Sequence, residues 1–76
     1  MSFVVYTKDG CPNCVSAKQL LKSKGYKFTE LAVDHNPALL DDLPDGARQM
    51  PQIFYKGERI GGFAGLREWI KWKEQQ

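Results

Sequence analysis

The only two cysteines of this 76-residue chain lie three positions apart, in the motif Cys11-Pro12-Asn13-Cys14. A continuous apolar run over 3–6 precedes the motif and a helical pattern follows it, so we predict that the motif opens a helix. One helical turn brings the Cα atoms of positions i and i+3 to about 5.5 Å, within reach of a disulfide. Proline suits a first turn because the N–H that it lacks would have no intrahelical partner. The unpaired N–H groups at that end favour a thiolate, which is the nucleophile. We therefore predict a reactive Cys11 and a resolving Cys14.

Charge and hydropathy narrow the class of protein. Eleven Lys and Arg residues against nine Asp and Glu residues leave a formal net charge of +2, too small and too evenly spread to indicate a nucleic-acid surface. No apolar stretch is long enough for a membrane span, and no basic segment with a following apolar core indicates a signal peptide. We expect a single domain over 1–76 in the cytoplasm. In that compartment a CxxC is more often catalytic or metal-binding than a static disulfide.

The first half of the sequence predicts a strand, a helix and a second strand. The apolar run within 2–7 indicates a strand buried on both faces. The helical pattern runs from Pro12 to about Lys24, with Gly25 ending it. The inner face of this helix carries Cys14, Ala17, Leu20 and Leu21. Apolar residues within 27–33 predict a second strand, and a βαβ unit of this length makes the two strands parallel with a right-handed crossover.

The second half predicts a short helix, a β-hairpin and a last helix. The predicted elements are a helix from Asn36-Pro37 through Leu43 closed by the Pro44-Asp45-Gly46 turn, a strand from Pro51, a tight turn over 55–58, a strand at Arg59-Ile60, and a helix from about Ala64 to Lys73. The apolar spacing of Leu66, Trp69 and Ile70 gives this last helix its inner face. The sum is an α/β fold of order β-α-β-α-β-β-α, with a mixed four-stranded sheet flanked by three helices.

Several short motifs beyond the CxxC resemble one family. They are Tyr6-Thr7-Lys8, Ala17-Lys18, Leu20-Leu21, Lys24-Gly25, Met50-Pro51-Gln52-Ile53-Phe54, Ile60-Gly61-Gly62-Phe63 and Leu66-Arg67-Glu68. A CxxC, a later proline that opens a strand and a Gly-Gly after a short hairpin form a far more specific set than the CxxC alone. On these residues the chain resembles the glutaredoxins of the thioredoxin-like superfamily and is similar to their small phage-type members.

The resemblance implies a role for each matching residue. Cys11 would be the nucleophile, Cys14 the buried resolving thiol, and Pro51 a cis-proline facing the CxxC. The residues alone favour a trans bond at Pro51, since only about one X–Pro bond in twenty is cis. The backbone of Met50 would pair with a cysteinyl peptide, and Lys8 would favour the thiolate and an incoming carboxylate unless it is simply solvated. The other residues predicted to bind substrate or glutathione are Pro12, Asn13, Arg48, Gly62 and Phe63. Arg48 would receive a carboxylate or be solvated, and Phe63 would cover the cleft or only pack.

Two departures from the family pattern leave the reductant open. Many glutaredoxins carry an aromatic residue where this chain has Asn13. Members that bind glutathione usually place acidic or hydroxyl residues after the Gly-Gly, where this chain has Phe63-Ala64-Gly65. An ammonium group would lose its charged partner there, although backbone N–H groups could still hold a carboxylate. The resemblance therefore implies either glutathione or thioredoxin reductase as the reductant, and ribonucleotide reductase as a protein target by family analogy.

The predicted chemistry is thiol–disulfide exchange through the Cys11–Cys14 pair. It needs no bound cofactor, and glutathione would be a co-substrate. We expect a monomer, with no nucleic-acid or membrane partner and no metal, because a zinc site needs two further ligands and the chain offers only His35 besides carboxylates. His35 is otherwise an exposed loop residue. The alternative is an iron–sulfur cluster carrier in which two chains each give Cys11 as a ligand. Visible absorption that Cys11→Ser removes would distinguish the carrier from the oxidoreductase.

Overall fold

Four strands and two α-helices make up most of residues 3–43 and 49–75, the part of the chain that the computed structural model describes. The elements are strand β1 (Phe3–Thr7), helix α1 (Pro12–Ser23), strand β2 (Phe28–Ala32), a 3₁₀ helix (Pro37–Asp42), strands β3 (Gln52–Tyr55) and β4 (Glu58–Gly61), and helix α2 (Phe63–Glu74). Each boundary agrees with the sequence prediction to within about two residues. Within the described ranges, neither helix has the length and hydropathy that a membrane crossing requires.

The strands form one mixed sheet in the order β2-β1-β3-β4. Strand β1 pairs parallel with β2 and antiparallel with β3, and β3 pairs antiparallel with β4. The parallel pairing of β1 with β2 confirms the predicted βαβ unit. Because β1 is central, its side chains are buried against both faces, as its continuous apolar run predicted.

Two apolar clusters cover the two faces of the sheet. The cluster on the face of helices α1 and α2 consists of Phe3, Val5, Ala17, Leu21, Ile53, Leu66 and Ile70. The cluster on the other face consists of Tyr6, Cys11, Cys14, Val33, Leu43 and Met50. Trp69 packs on the first cluster, with its ring centroid 5.3 Å from that of Phe3, whereas Trp72 is exposed. Both cysteines thus belong to the second cluster and lie at the N-terminal end of α1.

The hairpin between β3 and β4 turns through Lys56 and Gly57. Both residues have positive φ, 52° and 84°, the combination required by the two-residue turn whose twist matches paired strands. This turn confirms the predicted hairpin. It also sets the register, in which Phe54 pairs with Arg59 and Tyr55 with Glu58.

The second of the three predicted helices, from Asn36-Pro37 through Leu43, is wrong in type. Residues Pro37–Asp42 form a 3₁₀ helix, and the N–H of Leu43 donates to the carbonyl of Leu40. Six residues are too few for α-helical hydrogen bonds to offset the cost of nucleation, and short i→i+3 turns are the usual result. The leucine pattern is still used, because Leu39 and Leu43 pack on the second apolar cluster. The predicted Pro44-Asp45-Gly46 turn lies outside the described residues.

Candidate active site

Cys11 occupies the N-cap of helix α1, with Pro12 in the first turn. The backbone N–H of Cys14 donates to Cys11 Sγ at 3.2 Å. The N–H groups of Cys14 and Val15 also lie 3.1 and 3.2 Å from the Cys11 carbonyl oxygen. The first turn of α1 contains no acidic residue, so no carboxylate within that turn opposes the field of the helix N-terminus. A thiolate at Cys11 would therefore gain both a charge-assisted hydrogen bond and the helix dipole.

The turn before β3 brings Met50 and Pro51 to the CxxC motif. The Met50–Pro51 peptide bond is cis, and both residues are buried. The thiol of Cys11 donates to the Met50 carbonyl oxygen at 3.3 Å. The cis geometry expected of Pro51 and the proximity of Met50 to Cys11 are thus present. The role of the Met50 backbone in pairing with a substrate stays a prediction.

Cys14 holds its proton more strongly than an ordinary cysteine does. Both cysteines are free thiols, with Cys11 8% exposed and Cys14 2% exposed. Burial, together with the hydrogen bond to Cys11, raises the pKa of Cys14 from 9.0 to about 11, and a backbone hydrogen bond from Lys8 opposes the rise. Cys14 therefore remains a thiol at neutral pH, which fits a residue that acts second.

This raised pKa predicts a pH dependence of stability in the reduced protein. A thiol whose pKa is higher in the folded state stabilises the fold below the unfolded pKa of 9.0, and this contribution disappears as the pH rises to about 11. We expect the free energy of unfolding to fall by about 2 to 3 kcal/mol over that interval on account of Cys14. Denaturant unfolding in the presence of a phosphine reductant measures it.

The Cys14→Ala variant is the control for that measurement, because it removes the Cys14 thiol and keeps every other ionisable side chain. Its free energy of unfolding should be lower at pH 8 but should fall less steeply between pH 9 and 11. If the free energy of unfolding fell equally steeply with pH in the two proteins, the raised pKa of Cys14 would be contradicted.

A cleft of about 250 Å³ adjoins the motif. It is lined by Asn13, Gln49, Met50, Pro51, Gln52, Arg59, Gly62, Phe63 and Ala64. Five of the predicted binding residues are thus brought together here. At Gly62 a Cβ would lie 3.6 Å from the Pro51 carbonyl oxygen, which is ordinary van der Waals contact, so a close approach of the substrate backbone to Gly62 stays a prediction. Lys8, before the motif, and Pro12, within it, are both exposed and do not line this cleft. Arg48 lies outside the described residues.

Sequence reasoning missed a group of polar residues that border the cleft and are joined by hydrogen bonds. Gln52 is only 4% exposed; its Nε2 donates to the Gln49 carbonyl oxygen at 2.7 Å, and its Oε1 accepts from Arg59 Nε at 3.0 Å. The predicted hairpin could have revealed the contact between Gln52 and Arg59. A turn over 55–58 pairs Arg59 with Phe54, and Phe54 lies on the same face of β3 as Gln52.

Acidic and histidine side chains of the described residues form a cluster that contains neither cysteine. The possible ligand atoms of Asp9, Asp34 and His35 lie within 4.8 Å of one another, and all three residues are exposed. His35 Nε2 is 3.1 Å from Asp9 Oδ2, and the Asp9 N–H donates to Asp34 Oδ2 at 2.8 Å. The predicted exposure of His35 is confirmed. Among the described residues, no cluster that could hold a metal includes either cysteine.

The sequence matches one protein-family model and several curated proteins. The model, described as glutaredoxin, matches residues 3–60. Glutaredoxin 3 of Escherichia coli K12 is 45% identical over 60 residues, which cover 76% of this chain and 72% of that protein. Hybrid peroxiredoxin hyPrx5 of Haemophilus influenzae is 38% identical over 70 residues. These cover 91% of this chain but only 29% of the peroxiredoxin's length.

Solved structures show the same fold. The glutaredoxin-like protein NrdH-redoxin of Escherichia coli superposes with a TM-score of 0.77 at 25% identity, covering 90% of this chain and 93% of that one. Glutaredoxin from Brucella melitensis superposes with a TM-score of 0.80 at 31% identity, covering 99% and 84%. A buckwheat glutaredoxin in complex with glutathione gives 0.78 at 26% identity, covering 95% and 70%. The predicted thioredoxin-like fold is thereby confirmed.

Proposed function

Because this chain belongs to the glutaredoxin family, whose members are thiol–disulfide oxidoreductases, we propose that it reduces protein disulfides through a Cys11–Cys14 dithiol. The observation that carries the proposal is the asymmetry of the pair. Cys11 accepts a hydrogen bond from the first turn of α1, whereas burial raises the pKa of Cys14. Cys11 therefore has a backbone donor at its sulfur, and Cys14 stays protonated until it acts in the second exchange.

The reaction proceeds in two exchanges. The Cys11 thiolate attacks one sulfur of the target disulfide, forms a mixed disulfide and releases the other sulfur as a thiolate, which takes up a proton. Cys14 then loses its proton to solvent and attacks Cys11 Sγ. The mixed disulfide breaks, the second target thiol leaves, and a Cys11–Cys14 disulfide remains. Two electrons have passed to the target, and a second reductant restores the dithiol.

Contact with Met50 supports a specific orientation of the target. The Met50 carbonyl oxygen lies 3.3 Å from Cys11 Sγ, and Met50 and Pro51 continue from the motif into the cleft. A cysteinyl segment bound along this backbone would carry its sulfur to Cys11, as strand-like pairing does elsewhere in peptide recognition. Asn13 and Phe63, both lining the cleft, would contact the same segment.

Two reductants are compatible with the family. The buckwheat neighbour is a complex with glutathione, and NrdH-redoxin is described as having a thioredoxin-like activity profile. In this chain the first turn of α2 contains no acidic residue, so the ammonium of a γ-glutamyl group would lack a charged partner there. This favours thioredoxin reductase as the reductant, with glutathione a poorer co-substrate. Ribonucleotide reductase is the target that the family analogy offers.

A paired assay of the oxidised protein tests the proposal. One arm supplies glutathione with glutathione reductase and the other supplies thioredoxin reductase, and both follow NADPH consumption with a protein disulfide as the final acceptor. We expect the faster turnover with thioredoxin reductase, because the glutathione arm lacks the acidic partner. The Cys11→Ser variant is the control and should be inactive in both arms.

Each remaining outcome is informative. Turnover with glutathione alone would reverse the order of reductants and mean that backbone groups of the cleft hold the tripeptide. No turnover in either arm, with no reduction of a small disulfide by the chemically reduced protein, would overturn the function itself.

A further inference from the structure

Arg59 places a positively charged group at the cleft in a defined position. Its Nε donates to Gln52 Oε1 at 3.0 Å, and the buried Gln52 amide is held in turn by the Gln49 carbonyl. Gln52 is therefore satisfied at both ends of its amide and cannot rotate without losing a hydrogen bond. This bond uses only one of the five N–H groups of the guanidinium. The two terminal amino groups remain as a fork suited to a carboxylate.

No negative charge balances Arg59 within the cleft. None of the described residues that line the cleft is acidic, and the first turn of α2 contains no acidic residue. The ion pairs found among residues 3–43 and 49–75 involve Lys18, Lys24 and His35 but not Arg59. Strand alternation directs the neighbouring Glu58 to the opposite face of the hairpin.

A second cation, Arg67, contacts a residue of the cleft without lining the cleft itself. Its guanidinium carbon is 5.8 Å from the centroid of the Phe63 ring, and Phe63 lines the cleft. Among the described residues that line the cleft, Arg59 carries a charge and the others are uncharged. A guanidinium in this position attracts carboxylates and repels ammonium groups.

Building on the proposed function, we propose that Arg59, held by Gln52, is a specificity-determining residue that selects disulfides with a neighbouring acidic side chain on the protein substrate. The carboxylate binds the two terminal amino groups of Arg59 while the substrate sulfur reaches Cys11. Because Gln52 holds the guanidinium before binding, less conformational entropy is lost when the carboxylate arrives. The same charge disfavours substrates with a lysine or a free α-ammonium group at this place.

Matched peptide disulfides test this inference without any reductase. Each peptide carries one cysteine, joined through a mixed disulfide to the same neutral thiol, with Glu, Gln or Lys at a single varied position near the cysteine. Reduction by the chemically reduced protein is followed in single turnover. We expect the Glu peptide to react about tenfold faster than its Lys counterpart at low salt, with the Gln peptide between them, because the Arg59 fork binds the carboxylate and repels the ammonium group. The ratio should shrink as salt screens the charges.

Variants then assign the preference to one residue. In Arg59→Gln the Glu-to-Lys rate ratio should fall to about one, and Arg59→Lys should restore part of it because the charge returns without the fork. Lys71→Gln, an equal loss of charge at an exposed site on α2, should keep the full ratio. Because the readout is a ratio between substrates, a general loss of stability would not change it.

Three results would overturn the inference. The first is a Glu-to-Lys rate ratio near one for the wild-type protein, and the second is an Arg59→Gln ratio equal to that of the wild type. The third is a dependence on Arg59 that appears only when the substrate is a mixed disulfide with glutathione, because the carboxylates of glutathione would then be the ligand. These results differ from failure of the proposed function, in which no peptide disulfide would be reduced at all or Cys11→Ser would reduce them equally well.

Discussion

Replacing Cys14 with serine should abolish the complete reduction of protein disulfides and leave the target joined to Cys11 as a mixed disulfide. Cys14 is held within one helical turn of Cys11, and its backbone N–H contacts Cys11 Sγ at 3.2 Å. An intramolecular thiol in this position reacts as if it were present at a very high concentration. Effective molarities reach about 10⁵ M or more in favourable cases, far above the concentration of any external thiol. Without it the second exchange depends on an external thiol. We therefore expect at least about a thousandfold loss in the rate of target release.

Mass spectrometry and non-reducing electrophoresis measure the trapped species. The wild-type protein should show the mixed disulfide only transiently, and Cys14→Ser should accumulate it in a one-to-one ratio with the target. Cys11→Ser is the matched control and should form none, since its remaining thiol is 2% exposed and has a raised pKa. If Cys11→Ser were the variant that traps the target, the roles of the two cysteines would be reversed.

Replacing Gly65 with alanine should destabilise the fold, although helix propensity predicts the opposite. Alanine in a helix interior is favoured over glycine by about 1 kcal/mol. At Gly65, however, a Cβ would lie 2.5 Å from the Ile60 carbonyl oxygen and 3.4 Å from its carbonyl carbon. The neighbouring atoms belong to the backbone of β4 and cannot rotate away, so α2 or β4 must shift. We expect a net loss of about 1 to 3 kcal/mol in the free energy of unfolding.

Denaturant unfolding measures this loss, and reduction kinetics measure its effect on the cleft. Because Gly62 and Phe63 at the start of α2 line the cleft, a displaced helix should also slow target reduction. Glu68→Ala, at an exposed position on α2, is the control and should change stability by less than about 0.5 kcal/mol. An alanine variant at Gly65 that equals or exceeds the wild type in stability would contradict the close packing of α2 against β4.

The predictions that held depend on local chemistry. A proline within the first turn and a cysteine at each end of that turn place the motif at the N-terminus of α1, whatever the rest of the chain does. Gly25, with φ of 79°, ends that helix as its lack of a Cβ allows. The two-residue turn at Lys56-Gly57 sets the register of the hairpin in the same way. The 3₁₀ helix was the local exception, because a leucine pattern indicates which face is buried but does not distinguish helix types over six residues.

The residues that sequence reasoning missed depend on segments far apart in the chain. Arg59 was predicted only as part of a strand, and Gln52 only as the residue after the predicted cis-proline. Their contact requires the hairpin register, and their position beside Asn13 requires α1, β3 and α2 to meet at one end of the sheet. Hydrophobic periodicity does not record which polar side chains such a junction leaves facing the cleft.

The amino-acid sequence by itself determined the order of the strands and α-helices and the place of the CxxC at a helix N-terminus, because these follow from residue types at short spacing. Only the tertiary structure decided that Cys14 holds its proton to about pH 11, that the Met50 carbonyl faces Cys11, and that Arg59 borders the cleft. The burial of the Cys14 thiol, the direction of the Met50 carbonyl and the position of the Arg59 charge all depend on how segments far apart in the chain pack together. Packing decides which groups lose contact with water and which partners they meet instead.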